Sequence, residues 1–112
     1  QHRLLTGTQY QTVFDHTEWK VGNAVFLLLA RKNQQPQPRL GLVIGRKRAK
    51  RAVDRACIKR RAREQFRLRQ QKLAGLDVIL LVRGRIDHPD PSDVSDQLGR
   101  LFDKLLAKCG QA

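Results

Sequence analysis

The sequence predicts a single small α+β domain, with elements in the order α-β-β(-β)-α-β-α and a sheet of about four strands. Three observations carry that expectation. The chain has 112 residues, enough for one compact domain and too few for two. Its apolar residues alternate between strand-like runs and helix-spaced stripes. The segment between the strands at residues 39–45 and 77–83 is long enough for a parallel crossover through a helix.

Each element has its own signal. Residues 8–16 read as a short helix, with Thr6 or Thr8 as its cap and Tyr10, Val13 and Phe14 on one face. A short extra strand is expected near Trp19. Gly22-Asn23 marks a turn. Residues 24–31 are strongly apolar and read as a strand buried on both faces. Residues 32–38 (KNQQPQP) form a polar, proline-interrupted loop. Residues 39–45 (RLGLVIG) are the next strand. A basic helix follows, beginning between residues 49 and 54 and ending before Gly75. Residues 77–83 (DVILLVR) are another strand, and residues 87–91 a turn-rich loop with two prolines. Ser92 is the expected cap of the last helix, with Asp93 and Asp96 in its first turn opposing the helix dipole. Val94, Leu98, Leu101, Leu105 and Leu106 mark its apolar face, and Gly110 its end.

Charge points to the partner. Lys and Arg number 23 against 10 Asp and Glu, a formal net charge of +13. Self-repulsion on that scale opposes compaction unless a polyanion compensates it, and nucleic acid is the first candidate. Residues 46–72 hold 13 of the cations and only two acids, Asp54 and Glu64. Within that run Ile58, Ala62 and Phe66 recur every four residues, the spacing of a packed helical stripe. On a helical wheel Lys59, Arg60, Arg63 and Arg67 fall within an arc of roughly 100° on another side, and Ala56 projects into its middle. A disordered basic tail has no reason to keep an apolar stripe. The segment is therefore a packed helix that offers a cationic face.

Other classes of function lack their signatures. The apolar runs, such as Val25 to Leu29 and Val78 to Val82, fall far short of the roughly 20 residues of a membrane span. No signal-peptide core stands at the N-terminus, so a cytoplasmic location and no membrane partner are expected. Cys57 and Cys109 make no disulfide framework and have no metal-ligand spacing, so no metal site is expected. His2, His16 and His88 are scattered. Asp87, Asp90, Asp93 and Asp96 fit a loop and a negatively charged helix start. No glycine-rich phosphate loop, G-x-S-x-G or H-E-x-x-H motif occurs. No catalytic side chain is expected.

Residues 39–67, RLGLVIGRKRAKRAVDRACIKRRAREQFR, resemble the signature of the protein subunit of bacterial ribonuclease P. Ile44-Gly45-Arg46-Lys47 matches the strand end, and Ala52-Val53 the next step. Ile58-Lys59-Arg60 and Arg63-Glu64-Gln65-Phe66-Arg67 match the rest. Arg3-Leu4-Leu5-Thr6, with Tyr10 and Phe14 behind it, resembles the family's N-terminal helix, so the likeness spans nearly the whole chain. The family's Arg-Asn-Arg motif stands here as Arg55-Ala56-Cys57. The amide and the second guanidinium are missing, and Arg46, Arg48, Lys50 and Arg51 just upstream are placed to compensate.

The resemblance implies a left-handed crossover and one RNA-binding domain over residues 1–112. It implies a protein that binds the catalytic RNA subunit and the single-stranded 5′ leader of precursor tRNA, assisting removal of that leader. The RNA performs the chemistry with Mg²⁺, and no cofactor belongs to the protein alone. No protein partner is required. Arg46, Lys47, Lys50, Arg51, Arg55, Lys59, Arg60, Arg63 and Arg67 are the implied contacts with the RNA subunit. Tyr10, Phe14 and Phe26 are implied to offer stacking surfaces to the leader, in a cleft between the N-terminal helix, the sheet and the basic helix. A double-stranded-RNA-binding or ribosomal-type module, with no part in tRNA processing, is the alternative on residue pattern alone. It shares the Lys/Arg-rich helix but lacks the strand and helix after Gly75.

Overall fold

A computed structural model of the chain describes residues 3, 4 and 7–110. The elements run β1 (Arg3–Leu4), α1 (Gly7–Asp15), β2 (Trp19–Gly22), β3 (Phe26–Lys32), β4 (Arg39–Val43), α2 (Ala52–Leu68), β5 (Leu76–Val82) and α3 (Pro91–Lys108). The expected order stands, with the extra strand at Trp19 present. The two residues of β1 are an addition to the four expected strands, and they correct the assignment of Arg3 and Leu4 to the N-terminal helix. Leu5 and Thr6, with the capping role expected of Thr6, lie outside the described residues. Thr8 falls inside α1 rather than capping it.

The sheet order is β1-β4-β5-β3-β2. β5 is central, parallel to β4 and antiparallel to β3. That position explains its sequence: Leu76-Asp77-Val78-Ile79-Leu80-Leu81-Val82 is buried almost throughout, as a strand covered on both faces must be. The β4–α2–β5 unit is the predicted parallel crossover. Asp77 is the polar exception in β5. It is 4% exposed, and Arg39 on the neighbouring strand grips it with Nε and Nη2 at 2.7 and 2.8 Å. Asn33 Nδ2 donates to the same carboxylate at 2.9 Å, so the buried charge is paired and hydrogen-bonded.

Period-2 alternation sorts the strand residues between two layers. On one face Phe26, Leu28, Ala30, Leu40, Val78 and Leu80 pack with Ile58, Ala62 and Phe66 of α2 and Leu98, Phe102 and Leu105 of α3. The rings of Phe66 and Phe102 lie 6.3 Å apart in a tilted pair. On the other face Leu29 and Ile79 meet Val13 of α1. Helices α1 and α2 therefore sit on opposite sides of the sheet.

Turn chemistry sets the boundaries. Asn23 Oδ1 accepts from the amides of Val25 and Phe26 at 2.9 and 2.8 Å, which delays β3 to Phe26 instead of residue 24. α3 begins at Pro91, with Asp90 in the cap position and no side-chain cap bond. The fixed φ of Pro91 suits the first helical position, which displaces the expected cap at Ser92 and leaves only Asp93 in the first turn. Gly110, at φ +72°, follows the end of α3.

Candidate nucleic-acid interface

The basic helix packs as its spacing predicts. Ile58, Ala62 and Phe66 are fully buried, and Asp54 joins them on the inner side at 3% exposure. Arg60, Arg63 and Arg67 are exposed, and none has an ion-pair partner among the described residues. Lys59 is half-buried at the border. Three cations on one face, none neutralised by a neighbour, make a surface that gains from phosphate.

The approach to α2 adds a second cationic group. After β4 the chain turns, with the amides of Arg48 and Ala49 donating to Gly45 O at 3.1 and 3.2 Å. Ala49 is fully buried and anchors the turn, while Arg46, Lys47, Arg48 and Lys50 around it are exposed. Two of the expected contacts have other work to do. Arg55 Nη1 donates to Ala49 O and Lys50 O at 3.0 and 2.8 Å, tying the turn to the helix. Arg51 forks onto Asp54, with Nη2 to Oδ1 at 2.7 Å and Nε to Oδ2 at 3.0 Å. The Arg51 guanidinium holds the Asp54 carboxyl below the usual carboxylate range. Burial opposes that shift, and the His88 amide adds to it. Asp54 in turn raises Arg51.

Ala56 and Cys57, where the resemblance implies an amide and a second guanidinium, line an apolar notch. Val53, Arg60, Arg61 and Pro91 complete its walls. Val53 is 62% exposed. Cys57 and Cys109 are both free thiols, and burial pushes Cys109 up.

The aromatic residues do not gather as expected. Phe14 is 41% exposed on α1. It lines an open groove with Thr17, Glu18, Trp19, Lys20, Leu27 and Leu29. Tyr10 is half-buried. Its ring lies over Gly41, where a Cβ would come within 2.6 Å of it. Its hydroxyl accepts from the Leu42 amide at 2.8 Å. Among the described residues β1 pairs with Arg39 and Leu40, and the tyrosine hydroxyl satisfies the Leu42 amide further along β4. Phe26 is a correction: it is fully buried in the core beneath α2 and α3, on the face away from α1, and has no surface to offer a base. The cleft bounded by α1, the sheet and the basic helix together is corrected with it, because the two helices cover opposite faces. Trp19 was not expected in the groove. The signal available was its position four residues beyond the end of α1, at the start of an edge strand.

Among the described residues no three His, Cys, Asp or Glu side chains group as metal ligands would. Nor does any helix there have the length and apolarity to cross a membrane.

The fold and this surface define a small α+β domain that carries a cationic helix on one side of a mixed sheet. The sequence matches the ribonuclease P family over residues 1–106. It is 74% identical, over its whole length and 93% of the relative's, to the ribonuclease P protein component of Alcanivorax borkumensis. It is 44% identical to that of a Pseudomonas aeruginosa strain, over 93% of this chain and 77% of that one. The ribonuclease P protein from Thermotoga maritima superposes with a TM-score of 0.73 at 27% identity, covering 96% of this chain and 97% of that one. The Staphylococcus aureus RNase P protein shares the fold, with a TM-score of 0.80 at 22% identity over 91% and 93% of the two chains. The chain belongs to the ribonuclease P protein family, of the bacterial type.

Proposed function

We propose that the chain is the protein subunit of a ribonuclease P holoenzyme in the cytoplasm. In this reading it binds the catalytic RNA through the turn at residues 45–50 and the outer face of α2. It binds the single-stranded 5′ leader of precursor tRNA along the groove beside α1, with Phe14 as the stacking surface. The holoenzyme cleaves the leader to leave the mature 5′ end. Mg²⁺ and the chemistry belong to the RNA, and the protein supplies cations and shape. No further protein is required.

One observation carries the reading. Arg60, Arg63 and Arg67 stand unneutralised on a helix whose opposite side is locked into the core, in a chain of this family. A rigid row of cations can meet a phosphate backbone with little ordering cost. Ala56 and Cys57 shift the balance of contacts toward Arg46, Lys47, Arg48 and Lys50.

Reconstitution with a bacterial ribonuclease P RNA tests the proposal. At low Mg²⁺ the protein is expected to stimulate cleavage of precursor tRNA, and to be inactive without the RNA. No stimulation refutes it. Preferential binding to plain duplex RNA, with no stimulation, supports the double-stranded-RNA-binding alternative.

A further inference from the structure

We propose that Asp54 is a positioning residue for RNA binding: it locks the cationic turn before α2 and the loop after β5 into one surface. The inference rests on the functional reading above and adds a role to an acid on the cationic side of the molecule. Simple electrostatics counts such an acid as a liability.

The geometry makes three ties. Asp54 engages one edge of the Arg51 guanidinium with both oxygens, at 2.7 and 3.0 Å, and leaves Arg51 half exposed. The Asp54 Oδ2 also accepts from the His88 amide at 3.4 Å. His88 adopts φ +47°, a left-handed conformation uncommon for a side-chain-bearing residue, and this conformation accompanies an amide directed at the carboxylate. Beside these, the Ile86 amide donates to Arg48 O at 2.8 Å, so the same loop also holds the turn by its backbone. Arg55 closes the arrangement from the helix side through Ala49 O and Lys50 O.

An acid that served only the helix dipole would sit in the first turn facing water. Asp54 is in the first turn but buried, and its oxygens are spent on Arg51 and His88. A guanidinium already held in its fork loses less freedom when phosphate arrives at its outer edge. The Ile86 amide fixes the backbone of Arg48 in the same turn and so sets where its side chain starts.

Asp54→Asn separates positioning from charge, because it raises the net charge by one and breaks the fork. Charge alone predicts tighter binding to ribonuclease P RNA. Positioning predicts binding weakened about tenfold, with the slope of log affinity against log salt smaller by about one. It also predicts faster amide hydrogen exchange at residues 46–51 and 86–88 in the free protein, with the α3 core unchanged. Equal or tighter RNA binding by the folded variant, or unchanged exchange in those segments, overturns the proposal. Should Asp54→Asn fail to fold, Arg51→Lys breaks the same fork without changing charge, and the exchange measurement decides. If the wild-type protein binds no ribonuclease P RNA, the functional reading falls, and the exchange measurement still shows whether Asp54 holds the two segments.

Discussion

Three aromatic residues expected to act alike have three different fates. Phe26 is fully buried, so Phe26→Ala is expected to cost about 3–5 kcal/mol by removing a core ring. Tyr10→Phe removes a hydroxyl that holds the Leu42 amide and should cost about 1 kcal/mol. Phe14→Ala, at an exposed position, should change stability by less than about 1 kcal/mol while weakening leader binding. Denaturant unfolding and leader-dependent substrate affinity check the set, and a Phe14 variant that unfolds like the Phe26 variant would contradict it. The difference was not legible in sequence. Residues 25–29 are apolar on both faces, so alternation cannot say which side Phe26 takes. The partner of Tyr10 lies 32 positions away, and that of Asp54 at His88 lies 34 away. No local pattern reports ties of that length.

At the scale of elements, the helices were the legible part. Ile58, Ala62 and Phe66 announced both the buried side of α2 and, by difference, its cationic side. The ends were less so. Pro91 overrode Ser92 at the start of α3, and Asn23 delayed β3. β1 is two residues long and has no periodicity to read. The exposed side of α2 and its approach turn make a quantitative prediction. If five or six phosphates are neutralised, log affinity should fall with log salt at a slope of about −4 to −5. Arg63→Ala should reduce that slope by about one, whatever the RNA sequence, because a phosphate contact carries no base information. Filter binding across a salt series checks both, and a flat dependence would remove the electrostatic basis of the interface. Arg55→Ala belongs to a different class, since its guanidinium holds backbone carbonyls of the turn.

For the whole molecule, the charge and the architecture are two sides of one arrangement. Thirteen of the 23 cations fall in the 27 residues from Arg46 to Lys72, in the crossover between β4 and β5. The crossover is held inward by the core, and Arg60, Arg63 and Arg67 on its outer face have no ion-pair partner among the described residues, so the domain can concentrate repulsion on one side without opening. The overall α+β order was legible because each strand and helix carried its own pattern. Sheet order was not, because it depends on which strand the crossover returns to.

The central place of β5 bears on how the chain matures on the ribosome. β3 and β4 have no hydrogen bonds to each other; each meets β5, and β5 is the last strand made. Until residue 82 has left the exit tunnel, two strand edges stand open beside a newly made basic segment. The nascent chain is then a cation-rich polymer close to ribosomal RNA, with no sheet to hold its helix in place. Nascent chains stalled with only residues 1–75 outside the tunnel should be digested by protease throughout. Chains with residues 1–112 outside should resist, and resistance in the shorter chains would show that the sheet can close in another order.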